Sequence, residues 1–235
     1  MVNNAFSDRA LYTPVPCCRH TGTACADIAP CLTVEHILTL SAGEERLQRF
    51  TCSPAQLAEL CLGWLCAEGY ITAAADVEEL RISADGSTAA VALNGLRQRS
   101  AAPFSALMDV DKSLCARAAD ILLNGDSTYT KTRGTHGCVF VSRDGSSIFC
   151  EDIGRNNAMD KVVGSLLLQG KDAGEGLLFS SGRVTADIVR KAVRAGIPVL
   201  VTKATVTADA AAVAAQYRLR LAFFADGETF VLPAD

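Results

Sequence analysis

The sequence lacks both an excess of basic residues and a long apolar run. Its 22 lysines and arginines are outnumbered by 26 aspartates and glutamates, which gives a formal net charge of −4. Proteins that bind nucleic acid through its phosphates usually carry a basic face, so this balance argues against a nucleic-acid partner. No apolar run reaches the roughly eighteen residues of a membrane-spanning helix. We therefore expect no membrane insertion.

The common motifs of nucleotide-binding and hydrolytic enzymes are absent too. The chain has no Walker A phosphate loop, no G-x-G-x-x-G turn and no G-x-S-x-G nucleophile elbow. It also lacks the H-x-E and P-C-x-x-C sequences that hold zinc in deaminases, and it contains no C-x-x-C pair. ATPase, Rossmann dehydrogenase, serine hydrolase and zinc deaminase chemistry are therefore not predicted.

What is present is the composition of a globular protein. Hydrophobic residues make up 49% and charged residues 20% of the 235 residues, which suits one large domain or a main domain with a smaller companion. The first ten residues include charged side chains and no apolar segment, so we expect no secretory signal there. The predicted location is the cytoplasm.

Cysteine is abundant, with ten residues spread along the chain. In a long chain without an export signal they are expected to be reduced thiols and not a disulfide framework. Four lie near the N-terminus, and their spacing does not match the tight pairs on which zinc and iron–sulfur sites are built. Flexible thiols are therefore favoured over a metal site for Cys17, Cys18, Cys25 and Cys31, which share their segment with His20.

The pattern of apolar residues divides the chain into three parts. Residues 1–31 are expected to be irregular and cysteine-rich. Residues 32–125 combine two strand pairs with a helix capped by Ser53 and a long helix over 104–124, as in a smaller α+β domain. From 126 to 235, short β-rich runs alternate with helical segments, which predicts an α/β layered domain.

Three polar clusters lie at the ends of predicted strands in this last part. Ligands of open α/β sheets bind at the carboxyl ends of strands, where loops and helix N-termini expose N–H groups. Residues 151–155 follow a strand and 180–183 precede a helix, whereas 133–137 precede a strand, so their place depends on its direction. The hydroxyls, glycine and arginine of 180–183 suit a phosphate, and a capped helix with a solvated arginine is an equal alternative.

The other two clusters also have structural explanations. Residues 151–155 are equally typical of a surface loop in which Asp152 caps the next helix and pairs with Arg155. His136 is one of three histidines, and a single histidine is more often a hydrogen-bonded structural residue than a catalyst. The neighbouring thiol of Cys138 keeps a catalytic role open.

The segment CEDIGRNNAMDKVVG, residues 150–164, resembles the E-D-[IV]-G-R-H-N-A-x-D-K-x-x-G motif of the FdhD family, the sulfurtransferase accessory proteins of formate dehydrogenases. RGTHG resembles the family's T-G-G-x-H segment, and SSGRVTADIVRKAVRAGIPVLVTKATVT resembles its S-G-R helix and following strand. RLAFFADGE and FTCSPAQLAELCLGWLCAEGYI are similar to its C-terminal and N-terminal motifs. The likeness runs from about residue 32 to 232, in the family's order.

The resemblance implies a cytidine-deaminase-like three-layer α/β domain without the zinc site, joined to a smaller N-terminal α+β domain, in a homodimer. Family members accept persulfide sulfur from a cysteine desulfurase. They pass it to the molybdenum bis-guanine-dinucleotide cofactor, which they bind, on behalf of a formate dehydrogenase apoprotein. GDP would then be an analogue of the bound cofactor.

Carried over by position, the resemblance also assigns residues to the cofactor pocket or its support. A pyrophosphate-rich ligand requires glycine backbones, hydroxyls and arginine forks, which these positions supply. The segment expected to bind the nucleotide comprises Phe223, Phe224, Ala225, Asp226, Gly227 and Glu228. The remaining positions are Thr135, His136, Glu151, Asp152, Gly154, Arg155, Asn157, Asp160, Lys161, Ser181, Gly182 and Arg183.

The chain departs from the family at its sulfur carrier. The family's C-G-x-C-G loop is missing from the corresponding stretch, NGLRQRSAAPFSALMDVDKSLC. A persulfide carrier needs an accessible thiolate, and the candidates are Cys115, inside the predicted long helix, and Cys138, near the predicted pocket. Asn156 replaces a histidine of the family, and Ala225 replaces an arginine.

The sequence thus predicts an accessory protein for formate dehydrogenase maturation. In that role Arg155 and Arg183 would hold phosphates, and His136 would position or protonate the ligand. One alternative is a cofactor-binding chaperone that has lost sulfur transfer. Another is a structural or thiol-sensing protein that uses its N-terminal cysteines.

Overall fold

The first part of the chain is built on a mixed five-stranded sheet. The structure is a computed structural model that describes residues 1–95, 100–225 and 228–233. Five strands are joined in the order β1-β8-β9-β6-β7, and helix α1 packs against this sheet. The elements of this part are β1 (Val2–Asn4), β2 (Tyr12–Pro14), β3 (Cys17–Thr21), β4 (Ala24–Ile28), β5 (Cys31–Thr33), β6 (His36–Ala42), β7 (Glu45–Cys52), α1 (Leu57–Ala67), β8 (Val77–Ile82) and β9 (Thr88–Leu93).

The N-terminal segment is more regular than expected. β2 pairs with β5 and β3 pairs with β4, so residues 12–33 form a two-stranded antiparallel arm, which we call the cysteine arm. Gly22 turns its tip, with a φ of 61° that glycine adopts without a steric penalty. A disulfide joins Cys18 and Cys25 across β3 and β4, where reduced thiols were expected, and the other eight cysteines are free.

Helix α1 begins later than its sequence indicates. Its N-cap is Gln56, so the predicted cap, Ser53, lies outside the helix. Ser53 is buried: its N–H donates to Asp152 Oδ2 at 2.9 Å, and its hydroxyl oxygen accepts from the N–H of Ile153 at 3.2 Å. The hydroxyl of Ser53 therefore makes a tertiary hydrogen bond and does not form the local helix cap that the sequence pattern predicts.

The second part of the chain is a six-stranded sheet with helices on both faces. Its strand order is β11-β10-β12-β13-β14-β15, with α2 on one face and α4, α5 and α6 on the other. The predicted alternation of strands and helices is confirmed. The elements are α2 (Lys112–Asn124), α3 (Thr128–Thr132), β10 (His136–Ser142), β11 (Ser147–Asp152), α4 (Arg155–Gln169), β12 (Gly176–Ser180), α5 (Ala186–Arg194), β13 (Val199–Thr202), α6 (Ala208–Gln216), β14 (Arg220–Ala225) and β15 (Glu228–Val231).

Helix α2 is shorter than the helix predicted over 104–124. It starts at Lys112 because Asp111 caps it, accepting hydrogen bonds from the N–H groups of Ser113 and Leu114. The predicted end before Gly125 is confirmed. Among the helices of the described ranges, none is long and apolar enough to cross a membrane.

The two parts are joined through the crossing of α1 and α4. The helices approach so closely that a Cβ added to Gly63 would overlap the carbonyl oxygen of Asp160. A Cβ on Gly164 would overlap the carbonyl oxygen of Glu59 in the same way. Apolar residues of both parts form one continuous core around this crossing. The domain boundaries at 31 and 125 stay a prediction.

Candidate functional site

The strand pairing brings the three polar clusters to one edge of the six-stranded sheet. β10 runs antiparallel to β11, so the start of β10 at His136 lies beside the end of β11 at Asp152. β12 is also antiparallel to β10 and ends at the same edge with Ser180. Ser180 is in register with Thr202, and Thr202 with Phe223, which adds the ends of β13 and β14. The direction of β10 therefore settles the place of cluster 133–137.

A half-open cavity of about 240 Å³ lies at this edge. Polar residues and the apolar side chains of Leu122 and Phe149 line it together. Its size suits a phosphate or part of a nucleotide, since pockets for whole ligands start at roughly 300 Å³. The lining residues are Leu122, Ser127, Tyr129, Arg133, Gly134, Thr135, His136, Gly137, Phe149, Glu151, Ile153, Ser181 and Lys203.

Glu151 builds one wall of the cavity. Its carboxylate accepts hydrogen bonds from the N–H groups of Thr128 and Tyr129, at 2.7 and 3.0 Å, and so holds the start of α3. The hydroxyl of Thr135 donates to the same carboxylate at 2.9 Å. Three donors of the chain therefore hold Glu151 in the cavity wall and favour its ionised form.

Three cationic side chains without a carboxylate partner lie at or beside the cavity: Arg133 and Lys203 line it, and Arg155 is close enough to His136 for its charge to lower the pKa of that residue. The guanidinium of Arg133 and the ammonium of Lys203 lie 5.1 and 5.2 Å from the centre of the Tyr129 ring. Arg155 packs against Gly182, and its Nε is buried without a hydrogen-bond partner. In the described part of the chain, no acidic oxygen lies within 4.0 Å of any of the three. A buried donor among unpaired cations is a site for an anion.

His136 stands at the wall of this cavity. Its Nδ1 lies 3.2 Å from the hydroxyl of Ser181, which also accepts a hydrogen bond from the N–H of Gly137 at 3.0 Å. Partial burial lowers the pKa of His136 first, and the positive charges of Arg155 and Lys203 lower it further. The imidazole is therefore neutral at pH 7, and an anion bound among the cations would favour its protonation.

Asp152 and Lys161, both assigned by resemblance to the pocket or its support, form a buried ion pair. Lys161 Nζ lies 2.6 Å from Asp152 Oδ2, and neither side chain is exposed to solvent. The other carboxylate oxygen accepts from Gly154 N at 3.0 Å and from Asn157 Nδ2 at 2.9 Å. These residues hold the loop between β11 and α4 from below.

The loop after β11 is therefore not the surface loop in which Asp152 would cap the next helix and pair with Arg155. Asp152 neither caps α4 nor pairs with Arg155; the N-cap is Gly154, and no side chain caps the helix. Asn156, which replaces the family's histidine, has a buried Oδ1 without a hydrogen-bond partner. The carboxylate is drawn inward by Lys161, which leaves Arg155 free at the cavity.

Asp160 lies deeper still. Its carboxylate contacts Lys191 Nζ at 2.8 Å through both oxygens, and both residues are buried. Burial raises the pKa of Asp160 to about 6, against the opposing effect of Lys191. The pair ties α4 to α5 and has no access to a ligand in the cavity.

The remaining predicted positions are spread along the sheet edge. Arg183 is exposed and does not line the cavity. Phe223 stacks on Phe230 with ring centres 5.1 Å apart, and Glu228 is exposed at the start of β15. Phe224 and Ala225 complete β14, whereas Asp226 and Gly227 lie outside the described residues.

The two candidate sulfur carriers are buried. Burial raises the pKa of the Cys138 thiol to about 12, and it lies in contact with the hydroxyl of Ser180 at 3.6 Å. Burial and the nearby charge of Asp111 raise the pKa of Cys115 to about 11. Because only an accessible thiolate accepts sulfur, the structure gives neither cysteine the surroundings of a carrier.

Sequence reasoning assigned no site role to several residues of the cavity, among them Lys203, Arg133 and Tyr129. Lys203 follows a predicted strand and Arg133 stands in a recognised cluster, so both offered a weak signal at a strand end. Tyr129 offered none, because its place depends on the contact of α3 with Glu151.

Comparison with known proteins agrees with this architecture. The FdhD/NarQ family matches residues 33–107 and 95–232. The sulfur carrier protein FdhD of Methanothermobacter thermautotrophicus is 31% identical over 219 residues, covering 84% of this chain and 86% of that protein. The sulfur carrier protein FdhD of Geobacillus kaustophilus is 26% identical over 226 residues, covering 85% and 86%.

The fold is also found in a solved structure described as that of a formate dehydrogenase accessory protein from Desulfotalea psychrophila. The TM-score is 0.84, the identity is 22%, and the match covers 96% of this chain and 98% of that chain. Sequence and fold therefore agree that this chain belongs to the FdhD/NarQ family.

Proposed function

We propose that this protein is a cytoplasmic, homodimeric sulfur carrier that assists the maturation of a formate dehydrogenase. In this proposal it binds the molybdenum bis-guanine-dinucleotide cofactor at the sheet edge and receives sulfur from a cysteine desulfurase. The residues from 126 onwards would form the cytidine-deaminase-like domain, which the helices on both faces of its sheet support. The names of its relatives support the role in sulfur transfer.

The observation that carries the cofactor proposal is the charge of the cavity. Arg133, Arg155 and Lys203 have no acidic partner among the described residues, and the Nε of Arg155 is a buried donor without an acceptor. A diphosphate supplies the missing acceptors and charge, because arginine forks and phosphate oxygens match in geometry. His136 and the hydroxyl of Ser181 can donate further hydrogen bonds to it.

GDP binding measured by calorimetry tests this assignment. Replacing Lys203 or Arg155 by alanine is expected to weaken GDP binding about tenfold to a hundredfold, since a charge-assisted hydrogen bond contributes roughly 1.5–3 kcal/mol. Arg190→Ala is the matched control, because Arg190 is an exposed arginine on α5 outside the cavity. Wild-type protein that binds no GDP would contradict the assignment, and equal losses in all three variants would show only a general charge effect.

A second function, a cofactor-binding chaperone without sulfur transfer, is favoured by the burial of Cys115 and Cys138. The two functions differ in one experiment. After incubation with a cysteine desulfurase and cysteine, a carrier either holds one additional sulfur on a cysteine, detected by mass spectrometry, or releases hydrosulfide beyond that of the desulfurase alone, whereas a chaperone does neither. GDP binding is expected in both.

A further inference from the structure

Accessible sulfur is confined to the cysteine arm. Of the ten cysteines, all of which the structure describes, six are buried, and burial raises the pKa of each of these thiols. The other four lie in the arm: Cys17, Cys18 and Cys25 are exposed, and Cys31 is half-buried. A sulfur donor of protein size can therefore reach thiols of the folded chain only there.

The base of the arm packs against the cavity wall. The side chain of Thr33 packs so closely against Gly134, a lining residue, that a Cβ there would overlap it. On the other strand, the Tyr12 ring lies 5.6 Å from the ammonium of Lys131 in α3. The arm thus starts at the rim of the proposed cofactor site.

The arm is also long enough to connect that rim with a partner. Eight residues separate Thr33 from Cys25, which is about 26 Å of extended strand at roughly 3.3 Å per residue. The strand pairing is interrupted beside Pro16 and Pro30, which have no N–H to donate, and a single bond from Val15 N to the carbonyl of Pro30 bridges the gap. The interruption provides a place where the outer half of the arm can bend.

Two thiols and an imidazole share one face of the outer hairpin. Cys25 is in register with His20, and Cys18 with Asp27, so these four side chains point to the same side. The sulfur atoms of Cys18 and Cys25 and a ring nitrogen of His20 all lie within 4.8 Å of one another. Cys17 is equally exposed but points to the opposite face.

We infer that Cys25 and Cys18 form a dithiol that accepts a persulfide sulfur and releases it as hydrosulfide. The inference rests on the proposed sulfur-carrier function. Cys25 and Cys18 would take the place of the thiols of the C-G-x-C-G loop, which this chain lacks. His20 takes the proton of Cys25, its cross-strand partner, and so makes Cys25 the accepting thiolate. Cys18, opposite the carboxylate of Asp27, is the resolving thiol.

The chemistry balances in two steps. The thiolate of Cys25 attacks the outer sulfur of a protein persulfide; the donor's sulfur–sulfur bond breaks, and the donor leaves as a thiolate. The thiolate of Cys18 then attacks the inner sulfur of the Cys25 persulfide, and hydrosulfide leaves as the disulfide forms. Two thiols are oxidised and the transferred sulfur is reduced to sulfide. A dithiol reductant resets the pair.

A disulfide between Cys18 and Cys25, as the structure joins them, is the product expected of the second step. Disulfides are rare in the cytoplasm, where those that form are usually transient and catalytic or redox-sensing. The exposed position of the Cys18–Cys25 bond keeps it open to a reductant, whereas a structural disulfide in a core would be protected.

Reduced full-length protein, freed of reductant and treated with glutathione persulfide, tests the inference. Hydrosulfide release and disulfide formation are measured together, and mass spectrometry locates any added sulfur. Wild type and the control Cys17→Ser are expected to release one hydrosulfide for each Cys18–Cys25 disulfide. Cys18→Ser should hold the extra sulfur on Cys25 without release, and Cys25→Ser should do neither.

The outcomes separate a failure of the assignment to the arm from a failure of the sulfur-carrier function. Sulfur held on another cysteine, or unchanged release in both Cys18→Ser and Cys25→Ser, overturns the assignment to the arm and leaves the proposed sulfur-carrier function standing. No hydrosulfide release from wild type, together with no added sulfur on any cysteine of Cys18→Ser, in protein that still binds GDP, overturns sulfur transfer together with this inference. Unchanged GDP affinity in the cysteine variants shows that their fold and cavity are intact.

Discussion

Replacing Asp152 by asparagine is expected to destabilise the fold more than replacing its partner Lys161 by methionine. In the native protein, the ammonium of Lys161 lies 2.6 Å from the carboxylate and 3.4 Å from the carbonyl oxygens of Ser53 and Glu151. Asparagine would leave that ammonium buried with neutral acceptors alone. Methionine at 161 would leave a carboxylate that keeps its three N–H donors, from Ser53, Gly154 and Asn157.

The magnitude follows from the complete burial of both side chains. Removing one partner of a buried ion pair costs about 3–5 kcal/mol, because the other charge stays desolvated. We place Asp152→Asn near the upper end of that range and Lys161→Met near the lower end. At about 2–4 °C per kcal/mol for a chain of this size, the melting temperature should fall by roughly 10–20 °C in Asp152→Asn. The double variant should be less destabilised than the sum of the two.

Urea unfolding followed by circular dichroism measures all three variants. Glu79→Gln is the control, because the ion pair of Glu79 with Arg81 lies at the surface and should leave the midpoint unchanged. A greater loss of unfolding free energy in Lys161→Met than in Asp152→Asn would refute the prediction. It would mean that the three N–H donors left to Asp152 do not stabilise its carboxylate. Additive losses in the double variant would show that the two charges do not depend on each other.

Three further predictions concern other parts of the molecule. Gly164→Ala should lower the free energy of unfolding measured in urea by about 1–3 kcal/mol, because the new Cβ meets the carbonyl oxygen of Glu59; an unchanged free energy of unfolding would contradict the close helix contact. In an NMR titration, the pKa of His136 should lie below its ordinary value of 6.5, and added pyrophosphate should raise it. GDP binding should therefore strengthen as the pH falls through the pKa of His136. A pKa that does not respond to pyrophosphate would argue against an anion site. A thiol reagent added without reductant should modify Cys17 rapidly and Cys138 only after unfolding; rapid modification of Cys138 would restore it as a sulfur-carrier candidate.

Much of the fold could be predicted from local patterns. The strands β6 to β14 and helices α4 to α6 follow the spacing of their apolar residues, because one face of each element is buried in the core. The errors lie where a tertiary contact competes with a local rule. Ser53 has the chemistry of a cap but bonds to the loop after β11, and residues 104–111 stay outside α2 because Asp111 begins the helix.

The cysteine arm escaped prediction for another reason. Its outer strands are mostly exposed on both faces, so no apolar alternation marks them. Their pairing comes from backbone hydrogen bonds and from the turn at Gly22, which a pattern of buried residues cannot reveal.

Local sequence patterns were enough to predict the strands β6 to β14, the helices α4 to α6, the polar clusters at the strand ends and the family, because each depends on residues close together in the chain. Which polar residues reach the cavity depends instead on tertiary packing. Antiparallel pairing put His136 beside the end of β11, burial withdrew Asp152 and Lys161 into an ion pair, and the contact of α3 with Glu151 added a wall. Accessibility likewise separated the buried thiols from those of the arm, since solvent exposure is a property of the packed molecule and not of the spacing of its cysteines.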